Sequence, residues 1–484
     1  MKSVRWMPAR FTLLGLSIVL GGCANGVNTS GTTPIDQLMT DPALDGASVS
    51  LMVRDVRSGR TIYQHNAQSR LIPGSSIKLL TTAAAIDILG TQYRFSTQLL
   101  STGSQQDSRL VGDLYLKGMG DPSIQWSDYQ TLAAKLAQKG IKQVQGDIVF
   151  DDSFFDSERL GVDWAHDDET TYYGAQISAL TLSPNTDFDA GTLLVTAKAP
   201  SVAGLPVKVE ISPPSTLVQL NNRAVSGSGT YGLNRQHGTN LLQLTGAVAP
   251  GNQTQKLVSV WEPTQLVANL FEQALAQQGI KVTGQRVIGG LTPVSATVLA
   301  THESAPLQEL LTPLLKLSNN NMSEVLLKTM GRKTADAGTA AAGVAAVADF
   351  LKDHGLDTTN FKQVDGSGLS RRNLLSTQDL TDLLLIASKQ PWFNTWYNAL
   401  PIAGNTDRMT GGTLRNRLRG TAAENNLHAK TGSLSGVSSL SGYVTDAAGH
   451  RLVFSMVTNN YVADGAQIKV LEDRLAAALA QAPL

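Results

Sequence analysis

The sequence is poor in cysteine, aromatic residues and charge. Its 484 residues include one cysteine, 6% aromatic and 16% charged residues, against 42% apolar residues. A single cysteine excludes an internal disulfide. Lysine plus arginine equals aspartate plus glutamate at 39 each, which excludes a strong field that would attract nucleic acid. The apolar content indicates a globular protein, and the length allows two or three domains.

Long hydrophobic runs are also missing. The longest N-terminal run, from Phe11 to Leu20, is too short to span a bilayer as a helix. Three basic residues precede it, namely Lys2, Arg5 and Arg10. A basic leader followed by a short apolar run predicts a signal peptide over residues 1–22 and therefore an exported protein.

Cys23 directly follows two glycines, and this segment resembles a bacterial lipobox. We therefore expect lipidation of Cys23 and an anchored protein on the periplasmic face of the envelope. The membrane is then a partner only through the lipid, and Ala24 favours the outer membrane. Residues 23–46 are predicted to be the lipidated cysteine and a flexible polar tether. An ordinary cleavage site with an incidental cysteine is the alternative.

The pattern of secondary structure divides the rest of the chain into two parts. Alternating apolar and polar residues predict hairpins near both ends, and helical periodicity is concentrated after residue 300. Residues 96–295 carry short strand-like runs separated by Gly, Pro and Ser turns. We predict an α/β (α+β) domain made of residues 47–95 and 296–484, interrupted by a β-rich insert over 96–295 of one or two subdomains.

The segment RLIPGSSIKLLTTAAAIDILG contains a candidate nucleophile. It predicts a helix of roughly fifteen residues ended by Gly90. Residues three apart share a helix face, so Ser75 faces Lys78, whereas Ser76 points elsewhere. A serine hydroxyl needs a base, and a lysine serves when burial or a neighbouring cation lowers its pKa.

Two further short motifs supply partners for this pair. Lys430-Thr431-Gly432 offers a second cation, and its small residues leave room for substrate to lie alongside as an added strand. Ser318 and Asn320 form a Ser-x-Asn motif between the two lysines. Ser183-Pro184-Asn185 has the same pattern, but only Ser318 lies outside the predicted insert, and this position favours it.

The three motifs, in this order, are those of penicillin-binding proteins and class A β-lactamases. The long insert between the first and second motifs resembles class C low-molecular-mass penicillin-binding proteins, and so do segments along the chain such as KGMGDPS, DGSGLSRRN and AKTGSLSGVSSLSGYV. These are the D-Ala-D-Ala carboxypeptidases and endopeptidases of peptidase family S13. The resemblance covers nearly the whole mature chain, that is, the chain after the predicted signal peptide. It implies a penicillin-recognising, β-lactamase-like domain with an antiparallel sheet flanked by helices.

The resemblance also implies catalytic roles. Ser75 would attack the carbonyl of the penultimate D-Ala to form an acyl-enzyme, and Lys78 would accept its proton. Ser318 and Lys430 would relay a proton to the leaving D-Ala, and Asn320 would hold the substrate amide. The implied partners are peptidoglycan stem peptides and, as covalent inhibitors, β-lactams.

Substrate-binding residues follow from the same resemblance. Thr431 and Ser433 would bind the terminal carboxylate on either side of Gly432, and the backbone N–H groups of Ser75 and Ser433 would hold the oxyanion. The family's pocket for the free end of diaminopimelate is matched by a second set of residues: Arg371 and Asp168, with the adjacent Asp167 as an alternative to Asp168.

A β-lactamase is the nearest alternative, because it shares the acylation chemistry. A class A enzyme needs a glutamate between the second and third motifs, with an asparagine four residues later, to activate the deacylating water. Glu324 is followed at that spacing by Lys328, and Glu424 by His428. We therefore expect β-lactams to acylate Ser75 and to leave slowly.

Two other classes of protein fit the sequence less well. A metalloprotease is excluded because His302-Glu303 has Pro306 where the second histidine belongs. No His, Cys or Asp cluster has metal-ligand spacing, so we expect neither a metal nor a cofactor. A wall-binding lipoprotein with a decayed site is the alternative from a non-enzymatic class.

Overall fold

The structure is a computed structural model that describes residues 34–359 and 361–483. The predicted signal peptide and Cys23 lie outside the described residues. The α-helices are α1 Pro34–Leu38, α2 Lys78–Leu89, α3 Trp126–Gln138, α4 Pro263–Gln277, α5 Leu307–Leu317, α6 Asn320–Ala335, α7 Ala340–Asp353, α8 Thr377–Ala387, α9 Phe393–Ala399, α10 Arg408–Gly411 and α11 Gly465–Gln481.

The strands are short except in one sheet. They are β1 Ser48–Asp55, β2 Thr61–His65, β3 Ser96–Ser101, β4 Ser104–Gln106, β5 Arg109–Val111, β6 Leu114–Gly118, β7 Gln143–Gln145, β8 Ile148–Asp151, β9 Thr192–Lys198, β10 Lys208–Ser212, β11 Gln219–Asn222, β12 Val225–Ser226, β13 Gly232–Arg235, β14 Leu241–Thr245, β15 Ala247–Val248, β16 Gln253–Ser259, β17 Lys281–Val282, β18 Arg286–Ile288, β19 Thr297–Glu303, β20 His428–Leu434, β21 Val437–Thr445 and β22 Arg451–Asn459.

Strands from both ends of the chain form one antiparallel sheet in the order β2-β1-β22-β21-β20. Successive side chains of a strand point to opposite sides, so the sheet has two faces. Helices cover both of them. Val453 and Val457 of β22 join the core that contains α2, α5, α6 and α8. Phe454 and Met456 join the core formed with α1 and α11.

The β-rich region begins and ends on paired strands. β3 lies antiparallel to β19, with Thr97 opposite His302, so the chain enters and leaves this region side by side. The predicted boundary at residue 295 falls just before β19. Most buried apolar residues of the region, from Leu99 to Ala300, form a single cluster in which α3 and α4 pack together with the strands.

The prediction of a flexible tether over residues 23–46 is wrong for residues 34–46. Instead of a flexible polar segment, they form α1 and a short 3₁₀ helix, Pro42–Leu44. Ile35, Leu38 and Leu44 are buried against the core that contains α11. Ile35 and Leu38 lie three residues apart on α1 and give it an apolar face, whereas Leu44 is buried from the 3₁₀ helix. Burial stabilises both helical conformations.

The predicted nucleophile helix consists of two pieces. A 3₁₀ turn, Gly74–Ile77, leads into α2, which ends at Gly90 with a φ of 87°. Nearly all of α2 is buried, so its backbone is fixed on all sides. Of the helices in the described part of the chain, none is long and apolar enough to cross a membrane.

Candidate active site

Ser75 and Lys78 lie at the junction of the 3₁₀ turn and α2. Lys78 is fully buried, and its Nζ donates to Ser75 Oγ at 3.0 Å. The same nitrogen donates to Asn320 Oδ1 at 2.7 Å and to the Ser367 carbonyl at 2.6 Å. Three acceptors therefore hold one amine beside the hydroxyl, because an ammonium group has three donors to satisfy.

The environment of Lys78 favours its neutral form. Burial lowers its pKa from the ordinary value near 10.5 to about 7, and the carboxylates of Asp365 and Glu324 oppose this change. A lysine with such a pKa is partly neutral near pH 7 and can accept a proton from a hydroxyl.

Ser318 and Lys430 form a second hydroxyl–amine pair, with an Nζ–Oγ distance of 2.8 Å. Ser318 ends α5 in the left-handed conformation (φ 60°), and Asn319 caps α6 by accepting from Met322 N. Lys430 is fully buried. Burial, followed by the charge of Lys78, places its pKa well below the ordinary lysine value.

Asn320 connects the two parts of the chain at this point. Its Oδ1 accepts from Lys78, and its Nδ2 donates to the Tyr173 carbonyl of the insert at 2.9 Å. The other Ser-x-Asn motif has a local structural use, since Ser183 Oγ donates to the Asn185 carbonyl at 3.0 Å. Among the described residues, those that line the cleft include Ser318 and Asn320 but neither Ser183 nor Asn185.

β20 is an edge strand of the main sheet and passes close to the nucleophile. A Cβ built on Gly432 would lie 2.5 Å from the Pro73 carbonyl oxygen and 2.9 Å from Ser75 N. A Cβ on Gly74 would lie 3.2 Å from Ser433 N. Glycine thus permits a close approach that brings the N–H groups of Ser75 and Ser433 into one neighbourhood, as an oxyanion hole requires.

The Thr431 hydroxyl donates to Thr413 Oγ1 at 2.9 Å, and both threonines line the cleft. The sequence reasoning missed Thr413, which follows two glycines in a segment without a recognisable motif. Its proximity to the third motif arises only from the packing of the short 3₁₀ helix Gly412–Leu414 against α5 and β20.

The remaining predicted residues lie around one cleft of about 740 Å³ between the insert and the catalytic helices. Arg371 is exposed and donates to the Ser435 carbonyl at 2.6 Å. Asp168 accepts from the Tyr173 hydroxyl at 2.9 Å. Asp167 also lines the cleft, but its side chain is fully exposed. Arg371 and Asp168 are not hydrogen-bonded to each other; they share the cleft wall.

Two buried acids, Glu324 and Asp365, hold the loop that contacts Lys78, and sequence reasoning assigned them no such role. Glu324 accepts from Gly366 N and Ser367 N at 2.8–3.0 Å. Asp365 accepts from Gly368 N at 2.9 Å. Together they fix the loop whose Ser367 carbonyl binds Lys78. Burial raises the pKa of Glu324 to about 7, with the Asp365 charge as the second cause.

No glutamate is among the described residues that line the cleft. Glu324 is occupied by the Gly366–Ser367 backbone, and Glu424 accepts from Gly420 N. Neither is arranged like the water-activating glutamate of a class A β-lactamase.

A serine beside a buried amine, a second serine–amine pair and an open edge strand define the class of penicillin-recognising serine enzymes. The chain belongs to the D-Ala-D-Ala carboxypeptidase 3 (S13) family, whose profile matches residues 32–482. This confirms the resemblance found from the motifs, and the chain is a serine peptidase.

Similar proteins and solved structures support the same family assignment. The chain is 41% identical over 477 residues to the D-alanyl-D-alanine carboxypeptidase of Actinomadura sp. (strain R39), covering 97% of this chain and 88% of the relative. The crystal structure of penicillin binding protein 4 from Haemophilus influenzae matches with a TM-score of 0.82 and 25% identity, covering 93% and 100% of the two chains. The same protein complexed with a β-lactam matches with a TM-score of 0.77 and 24% identity over 93% and 100%. These similarities confirm the predicted fold class.

Proposed function

We propose that the protein is a serine D-Ala-D-Ala carboxypeptidase that acts on peptidoglycan stem peptides through an acyl-enzyme on Ser75. The observation that carries the proposal is the 3.0 Å contact between Lys78 Nζ and Ser75 Oγ in a buried site. In this reaction the Ser75 O–H bond breaks, its proton moves to Lys78, and Oγ bonds to the carbonyl carbon of the penultimate D-Ala.

The second hydroxyl–amine pair, Ser318 and Lys430, protonates the leaving group. As the C–N bond breaks, Ser318 passes a proton to the departing D-Ala nitrogen and is resupplied by Lys430, 2.8 Å away. The proton that Lys78 took from Ser75 replaces the one that Lys430 gives up. The N–H groups of Ser75 and Ser433 stabilise the oxyanion. Water then attacks the acyl-enzyme, which releases the shortened peptide and restores the Ser75 hydroxyl.

The substrate lies along β20. Thr431 and Ser433 bind the terminal carboxylate, and Asn320 orients the peptide amide. Arg371 and Asp168 bind the carboxylate and ammonium of the free end of diaminopimelate, a charge pattern that they complement. Their position in the wall of the same cleft supports this assignment.

Cleavage of cross-links is a second activity of the same site. A DD-endopeptidase needs room beyond the leaving amine for a second peptide. The cleft has a volume of about 740 Å³, and Thr413, Arg415 and Arg408 also line it, which supports a leaving group larger than D-Ala.

Digestion of purified muropeptides tests both activities. We expect loss of terminal D-Ala from pentapeptide monomers and conversion of D-Ala–diaminopimelate dimers to monomers, with neither product formed by Ser75→Ala. A wild-type protein that changes neither substrate while it binds penicillin covalently would refute the proposed substrate. Absence of any penicillin adduct would instead favour a decayed, wall-binding protein.

β-Lactams acylate Ser75. The acyl group leaves slowly, because no glutamate among the described cleft residues activates a deacylating water. Mixing with a chromogenic cephalosporin should give one burst per molecule of protein. Fast multiple turnovers would identify a β-lactamase.

The protein is exported and anchored by lipid on Cys23, facing the periplasm, with the outer membrane favoured. The leader of residues 1–22 and the Gly-Gly-Cys sequence support this location. Cys23→Ala should move the protein from the membrane fraction to the soluble periplasmic fraction. An unchanged distribution would refute the anchor.

A further inference from the structure

The insert carries a cluster of potential metal ligands at the edge of the cleft. One ligand atom from each of His166, Glu169 and His237 lies within 4.8 Å of the other two. His166 belongs to the short 3₁₀ helix His166–Asp168, and His237 lies in the turn between β13 and β14. Motif spacing does not reveal this cluster, because His237 lies 68 residues beyond Glu169.

Glu169 is held firmly at the base of the cluster. Its carboxylate is 8% exposed, and its Oε1 accepts from the buried Arg235 at 2.7 Å. Arg235 is itself fixed by its Nε, which donates to the Ser259 carbonyl at 3.1 Å. The other oxygen, Oε2, lies 2.6 Å from His237 Nδ1. The arginine thus occupies one oxygen of the carboxylate and leaves the second on the side of the histidines.

The two imidazoles lie outside this carboxylate. Their ring centroids are 5.4 Å apart, and the His237 ring packs edge-to-face against Trp261 at 5.5 Å. The side chains of His166 and His237 are 76% and 65% exposed. A metal ion in solution can therefore reach a rigid carboxylate through two accessible imidazoles, one of them oriented by a tryptophan.

We propose that His166, Glu169 and His237 bind one Zn²⁺ ion, with water as the fourth ligand. Two histidines and one carboxylate are a ligand set that zinc takes in proteins. Bonds of about 2.0–2.2 Å place tetrahedral ligand atoms about 3.4 Å apart. The longer contacts of the cluster, up to 4.8 Å, must therefore shorten, which rotation of the exposed His166 side chain allows. His237 gives up its contact with Glu169 Oε2, so that both atoms bind the metal.

Zinc at this site would restrict the motion of one wall of the cleft and would take no part in bond cleavage. The ligands His166 and Glu169 flank Asp167 and Asp168, both of which line the cleft. A bound ion would join this segment to the β13–β14 turn. Zinc would therefore restrict the motion of the segment that presents Asp168.

Isothermal titration of the full-length protein with zinc chloride, in a buffer that does not chelate metals, tests the site. We expect one Zn²⁺ per molecule, a rise in the thermal midpoint, and no comparable binding of Mg²⁺. His166→Gln and His237→Gln should each weaken binding at least tenfold. Penicillin labelling of both variants should be retained, which shows that they are folded.

His450→Gln is the matched control, since His450 also lies beside a carboxylate, with Nδ1 3.1 Å from Asp446 Oδ2, but forms no three-residue ligand cluster with the residues that the structure describes. It should leave the zinc affinity unchanged. Two results would overturn the proposal: no measurable zinc binding by the wild-type protein, or binding that persists unweakened in both His166→Gln and His237→Gln. The second result would place the ion at a different site.

Discussion

Lys78 Nζ donates to Ser75 Oγ at 3.0 Å from the first residue of a helix that is buried on nearly every side. The fixed helix prevents the amine from moving into solvent, and burial lowers its pKa. The rate at which Ser75 is acylated should therefore depend on the position and the protonation state of Lys78.

Removal of the nucleophile should abolish covalent labelling while leaving the fold intact. Ser75→Ala loses the Oγ that bonds to the β-lactam, so fluorescent penicillin should give no band on a gel. Ser76→Ala is the matched control. Ser76 Oγ bonds to Ser439 Oγ at 2.7 Å, so its loss should cost about 1 kcal/mol of stability but retain the label. Label retained in Ser75→Ala would disprove the assignment.

The acylation rate should rise with pH to a plateau. The active form of Lys78 is neutral and its pKa is about 7, so the rate should fall about tenfold per pH unit below that value. The measurement is the rate of penicillin labelling from pH 5.5 to 9. Lys78→Arg, whose guanidinium stays charged, should not be labelled. A rate independent of pH across this range would contradict the role of Lys78 as base.

Glu324 should set the position of this pH profile. Its carboxylate raises the pKa of Lys78, so Glu324→Gln should move the midpoint to lower pH. The glutamine can still accept from Gly366 N or Ser367 N, which keeps the loop in place. Glu309→Gln, at an exposed position of α5, is the control and should leave the midpoint unchanged. A purely structural role would lower stability without moving the midpoint.

Gly432→Ala should slow acylation through the backbone. The added methyl would lie 2.9 Å from Ser75 N, so β20 must move away from the nucleophile. A shift of about 1 Å should cost about 100-fold in labelling rate, with about 1–3 kcal/mol of stability. Gly227→Ala, whose Cβ meets only Ala247 Cβ at 3.8 Å, should change neither quantity. Equal labelling rates in the two variants would show that the close approach has no catalytic consequence.

Thr413 should affect substrate binding through Thr431. Thr413→Val removes the acceptor of the Thr431 hydroxyl, and a lost hydrogen bond of about 1 kcal/mol should lower kcat/KM for a D-Ala-D-Ala peptide about fivefold. The exposed Thr421→Val is the control. Unchanged steady-state kinetics in Thr413→Val would remove Thr413 from the site.

Several features of the site could be predicted because they are local. A spacing of three residues places Ser75 and Lys78 on one side of a helical segment whatever the rest of the chain does. The short motifs around Ser318 and Lys430 were also visible, since each is contiguous. Residues 34–46 show where local reasoning failed: their polar composition indicated a tether, but the apolar side chains of Ile35, Leu38 and Leu44 pack into a core formed by distant parts of the chain.

The sequence by itself determined the class of chemistry and the identity of the reacting groups, because motif spacing and apolar periodicity are properties of neighbouring residues. Only the tertiary structure decided that Lys430 meets Ser318 across 112 positions, that Glu324 holds the loop facing Lys78, and that Thr413 reaches Thr431. The packing of the whole chain fixes such contacts, since no local rule relates residues so far apart. The same packing buries both lysines and so gives them pKa values that suit catalysis.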